Sequence, residues 1–118
     1  MLFRSSTARL QGNIFAQTSE FTEAVPSIRL HGAKGVNLDS ALIINSNSGI
    51  EIKDGSSPTI LLSTVTQNAK EGILVYADSA LTLENSYFWY NTGWSLFINE
   101  GATVNSQYSS FGDRKSVV

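Results

Sequence analysis

The sequence predicts an all-β chain made by stacking one short unit on itself. Three observations carry that expectation. Apolar and polar residues alternate in runs of three to five, and helical spacing is nowhere sustained. The chain has 17 Ser, 9 Thr and 9 Asn against 8 basic and 10 acidic residues. These small polar side chains are weak helix formers that favour turns. Finally, the segments opening at Gly49, Gly72 and Gly93 repeat with a period of 21–23 residues, and an earlier copy starts at Ser27.

The elements follow in order. Residues 1–18 read as an incomplete coil, marked by the Leu10/Ile14 spacing. The insertion SEFTEAVP at 19–26 interrupts the pattern. Its Pro26 breaks helix and strand alike, so an external loop or short helical turn is expected. Four full coils are expected at 27–48, 49–71, 72–92 and 93–113, so the chain holds four to five coils in all. Each opens on an alternating strand: Ile28 and Leu30, Ile50 and Ile52, Ile73 and Val75, Trp94 and Leu96. A turn comes next (HGAKG, KDGSSP, ADSA, NEGA), then a second apolar stretch near Val36, Ile60, Leu81 and Ala102. A third element is marked by the pairs Leu38/Leu42, Leu61/Val65, Leu83/Tyr87 and Val104/Tyr108. Residues 114–118 show no repeat character and read as a flexible tail.

A unit of about 22 residues cannot bury its own apolar face. Copies stacked ~4.8 Å apart let each strand pair in parallel with its equivalents, and the apolar residues then line one interior. This is a parallel β-helix. The Ser, Thr and Asn excess fits, because such side chains bond turn backbone and stack like on like between coils. Asn45, Asn68 and Asn91 recur every 23 residues and are expected to form one ladder.

The pattern L-x-x-S-x-hydrophobic-x-x-N followed by G-I-x-[IV], clearest in SALTLENSYFWYNTGW at 79–94, resembles the right-handed parallel β-helix repeat of pectate-lyase-like proteins. FWYN at 88–91 also resembles the F-x-x-N of polymorphic outer-membrane repeats. The resemblance covers about 27–112. It implies a short right-handed parallel β-helix. That superfamily includes polysaccharide lyases, hydrolases and epimerases, tailspikes, adhesins and non-enzymatic modules, so no single activity follows.

Composition bounds the function. At 118 residues, 42% hydrophobic and net charge −2, the chain reads as one folded domain rather than a disordered segment. No cysteine is present, which excludes disulfides and thiol chemistry. The basic residues are scattered and the pI is about 5.2, so no nucleic-acid partner is expected. No apolar run approaches the ~18 residues of a membrane helix. The opening MLFRSSTARLQGN lacks the apolar stretch of a signal peptide, and no compartment is indicated.

Candidate sites lie on the outward faces. The first strands are expected to align Arg29, Glu51, Leu74 and Ser95 in one outer column, and His31, Lys53, Tyr76 and Phe97 in the next. Family members that act on polysaccharides often use such a face. Tyr76 and Phe97 would stack on sugar rings, and Arg29 and Lys53 would hold acidic ones. The plainer alternative is a solvated sheet face with ordinary cross-strand pairs such as Arg29 beside Glu51. Asp54, Asp78 and Glu100 fall in equivalent turns, and three stacked carboxylates could take calcium, although acids are also ordinary turn residues. Asp39 and Glu84 lie two coils apart, ~9.6 Å on strand spacing, with Ser63 expected between them. His31 is the lone histidine, and no G-x-S-x-G motif accompanies it. In the aromatic run at 87–90, alternation is expected to bury Tyr87 and Trp89 and leave Phe88 and Tyr90 as a binding pair. The 23-residue spacing of Leu42, Val65 and Phe88 argues for the opposite phase.

With no catalytic constellation, the sequence points first to a non-catalytic repeat module with a structural or interaction role. The alternative is a carbohydrate-binding module, or a fragment of a polysaccharide lyase or hydrolase. Polysaccharide, a second copy of the chain, or neighbouring coils of a longer chain are the expected partners.

Overall fold

The computed structural model describes residues 1–4, 7–16, 25–111 and 115–117. Strands come in threes, one set per coil. The first coil holds β1 (Leu2–Arg4), β2 (Thr7–Gln11) and β3 (Ile14–Ala16). The second holds β4 (Ile28–His31), β5 (Gly35–Asp39) and β6 (Leu42–Ile44). The third is β7 (Ile50–Lys53), β8 (Thr59–Leu61) and β9 (Thr64–Thr66). The fourth is β10 (Ile73–Val75), β11 (Ala80–Glu84) and β12 (Tyr87–Trp89). The fifth is β13 (Leu96–Ile98), β14 (Thr103–Gln107) and β15 (Ser110–Phe111), and β16 (Lys115–Val117) begins another.

Equivalent strands pair in parallel, giving three sheets that wrap one core. Their orders are β1-β4-β7-β10-β13-β16, β14-β11-β8-β5-β2 and β15-β12-β9-β6-β3. The chain is thus an all-β parallel solenoid, with no helix among the described residues. Among the described residues the opening segment contributes one strand to each of the three sheets. At the other end, the segment read as a tail contributes β16, which pairs with β13. Most of the 19–26 insertion lies outside the described residues.

Register sets which side chains meet. Ile28 pairs with Ile50, Ile50 with Ile73, and Ile73 with Leu96. The last pair corrects the expected start of the fifth coil. Trp94 and Leu96 alternate like a strand, yet the strand lies two residues on, at Leu96–Ile98. A glycine column explains why. A Cβ on Gly49 would stand 2.3 Å from the Gly72 carbonyl oxygen, and one on Gly72 would stand 2.5 Å from that of Ser95. Ser95 therefore lies level with Gly72, and Gly93 belongs to the preceding loop.

Inside, like sits on like. The first sheet stacks Leu30, Ile52, Val75 and Ile98, the second Leu38, Ile60 and Leu83, the third Ile43, Val65 and Phe88. Except for Ile98, 7% exposed, all are fully buried, and burying one such side chain contributes ~1.5–3 kcal/mol. Phe88 also stacks on Phe111, ring centroids 4.9 Å apart. Ile43, not Leu42, takes the inner place in β6, because the second and third coils differ by 22 residues there rather than 23. The same shift removes Asn45 from the asparagine ladder. Ser46 lies level with Asn68, its N–H donating to Asn68 Oδ1 at 3.0 Å. Asn68 Nδ2 in turn donates to Asn91 Oδ1 at 2.8 Å.

A serine ladder fixes the corner between the second and third sheets. The Ala41 N–H donates to Ser63 Oγ, that of Ser63 to Ser86 Oγ, and that of Ser86 to Ser109 Oγ, at 3.1–3.2 Å. Each of these hydroxyls donates to the carbonyl two residues back: Leu61, Glu84 and Gln107. Backbone donors and acceptors that the corner would leave orphaned are thereby paired.

Candidate functional site

Alternation in β4, β7, β10 and β13 buries one residue and turns the next outward. The register then lines up Arg29, Glu51, Leu74 and Phe97 in one outer column. Phe97, expected in the next column, stands here beside Leu74, and Ser95 is fully buried. The second column holds His31 and Lys53 as register partners. Tyr76 continues it, its N–H donating to the Ile52 carbonyl, and Asn99 follows, bonded to that of Val75.

Glu51 is the electrostatic hub. Its Oε1 lies 2.7 Å from His31 Nε2 and 3.8 Å from Lys53 Nζ. Arg29 is its register neighbour, but no ion pair joins the two among the described residues; Arg29 Nε is buried without a hydrogen-bond partner. Two clefts meet at Glu51 and Tyr76. One, about 560 Å³, runs along Lys53, Asp54, Asp78 and Asn99. The other, about 360 Å³, runs along Leu74, Phe97, Lys70 and Glu71. Burial pushes the Tyr76 phenol above its usual pKa of 10.0, and the Glu51 and Glu71 carboxylates push it the same way. Lys70 and Glu71 were not legible as part of this face, since they lie in a loop before β10.

The expected calcium ligands do not converge. Lys53 lies level with Tyr76, and Thr59 pairs with Thr82, so the turns between keep the same offset. Asp54 and Glu100 therefore share a column with Ala77 between them, while Asp78 falls between Gly55 and Gly101. Among the described residues no group of three or more His, Asp or Glu side chains gathers to hold a metal ion. Asp54 and Asp78 adopt φ of 59° and 66°, which short polar residues tolerate in turns. Asp39 and Glu84 do lie two rungs apart, but Leu61, not Ser63, separates them.

The aromatic run takes the phase opposite to the alternation-based expectation. Phe88 points inward with Val65 and is fully buried, so it cannot stack on a ligand. Tyr87, Trp89 and Tyr90 are the exposed residues, with the Trp89 and Tyr90 rings 6.3 Å apart. Ile43, Val65 and Phe88 fill the core at that level, which leaves the flanking aromatics outside.

The fold and register define the chain as a parallel β-solenoid, the class to which the outer columns belong. Residues 1–117 match the model of the right-handed β-helix region, and the chain belongs to that family. No significant match is found among curated proteins or among solved structures.

Proposed function

We propose that this β-helix region is a non-catalytic interaction module that holds an extended glycan across the outer face of its first sheet. The observation that carries this reading is the meeting of two clefts at Tyr76 and Glu51, with Leu74 and Phe97 forming an apolar wall. Sugar rings offer apolar C–H faces to such a wall and hydroxyls to its rim. Glu51, Glu71, Asp54 and Asp78 line the clefts against only Lys53 and Lys70. That excess of acid favours neutral sugars over the acidic ones expected from Arg29 and Lys53, since Lys53 is already drawn to Glu51.

Calorimetric titration with neutral and uronate hexasaccharides tests the reading. Binding of a neutral chain, with at least one class of sites weakened tenfold or more by Tyr76→Ala or Phe97→Ser, is the expected result. Absence of binding to every glycan, or binding that ignores both substitutions, refutes it. Bond cleavage of any oligosaccharide would refute the non-catalytic part.

A further inference from the structure

The structure assigns a second sugar-binding site to this chain, at the corner that follows the third sheet, with Tyr90 as its aromatic wall. A cavity of about 420 Å³ opens there, sharing no lining residue with the clefts of the first sheet. Asn45, Gln67 and Thr92 edge it with exposed amides and a hydroxyl, and Ser46 and Asn68 form its buried floor. No charged residue lines it.

That lining selects its ligand class. A charged ligand would meet no counter-charge and would lose hydration on entry. A purely apolar one would leave the amides unpaired. A neutral pyranose satisfies both halves: its C–H face packs on the Tyr90 ring, and its hydroxyls meet side-chain amides that both donate and accept. The floor is rigid before any ligand arrives, because the Ser46 N–H and Asn68 amide are already committed to the asparagine ladder at 3.0 and 2.8 Å. A preorganised floor lowers the ordering cost of binding.

Backbone conformation fixes where the Tyr90 ring stands. Asn45, Gln67 and Tyr90 occupy equivalent corner positions, with φ of 52°, 55° and 53°. Asparagine adopts this left-handed region readily, whereas a bulky aromatic does so at a cost. Tyr90 bears that cost while its side chain is 71% exposed. The same φ recurs at the other corner in Ser40, Leu62, Asn85 and Tyr108, so it belongs to the coil, and at this corner it sets the exposed Tyr90 ring beside the cavity.

The test uses the intact chain and the neutral probes cellohexaose, xylohexaose and mannohexaose. Trp89, 6.3 Å from Tyr90, supplies the fluorescence signal, read in a Trp94→Phe background so that it is the one tryptophan. At least one hexasaccharide is expected to change it saturably, and Tyr90→Gly is expected to weaken that response tenfold or more. The same variant should melt no lower than the parent, because glycine relieves the left-handed backbone. Tyr76→Ala, which removes the first-sheet groove, should leave this response unchanged, so failure of one site is separable from failure of the other. Three results overturn the proposal: no Trp89 response to any neutral hexasaccharide, a response indifferent to Tyr90→Gly, or a clear drop in melting temperature for that variant.

Discussion

Single residues show where stacking leaves no room and where it tolerates strain. Gly49 and Gly72 sit where neighbouring backbones approach too closely for a side chain, as the 2.3 and 2.5 Å clashes of an added Cβ show. Gly72→Ala must move backbone rather than a flexible side-chain tip. We expect it to lower stability by about 2–3 kcal/mol, as overpacking does, measured as a fall in the urea midpoint. Leu62 presents the converse. It is 60% exposed and holds φ of 48°, level with Asn85, whose φ is 49°. Leu62→Asn should therefore stabilise by about 1 kcal/mol, the usual size of the left-handed penalty, read as a higher melting temperature. Neither position announces itself in the sequence beyond its residue type. The recurrence of Gly49 and Gly72 was legible as a repeat mark, but the close approach behind it appears only once the coils are stacked.

At the scale of elements, like-on-like ladders replace the helix caps and hairpin turns of other folds. Ser86 both accepts the Ser63 N–H and donates to the Glu84 carbonyl. Ser86→Ala would strand a buried donor, so a loss of about 1–3 kcal/mol is expected, checked by chemical denaturation. Phe88→Ala should cost more, about 3–5 kcal/mol, because it empties a buried site stacked on Phe111. The strands themselves were legible from alternation, and their inner residues largely so. Register was not, for reasons specific to three segments. Leu42, Ile43 and Ile44 are apolar on both faces, which hides the one-residue change in coil length. Trp94 and Leu96 imitate a strand start, although the glycine column places Ser95 level with Gly72. In the run at 87–90 every residue is aromatic, so alternation has no polar phase to mark the outside. The shift at Trp94 is why Phe97 stands beside Leu74, whereas the three acids fall out of line because their spacings of 24 and 22 depart from a constant offset of 23.

For the whole molecule, the first sheet gathers charged and aromatic residues on one outer face. It carries the Glu51 hub, the clefts and Tyr76. Its pH response follows from the raised Tyr76 pKa. Above pH 10 the unfolded chain releases the phenol proton while the folded chain retains it. Folding stability is thus fully present below about pH 10, the unfolded value, and falls as pH climbs through the folded one. A denaturant midpoint that drops above pH 10 in the parent, and drops less in Tyr76→Phe, is the expected outcome. The solenoid architecture was legible from the period and composition together; the faces were not, since each depends on register between coils.

Register is accordingly the central claim, and the chain's lack of cysteine makes it directly testable. Neighbouring parallel strands lie ~4.8 Å apart, within disulfide reach. Cysteines placed at Leu74 and Phe97, which the structure makes register partners, should cross-link rapidly under mild oxidation in the folded protein. Cysteines at Leu74 and Ser95 should not. Efficient cross-linking of the Leu74/Ser95 pair, with none between Leu74 and Phe97, would contradict the stacking described here and every outer column built on it.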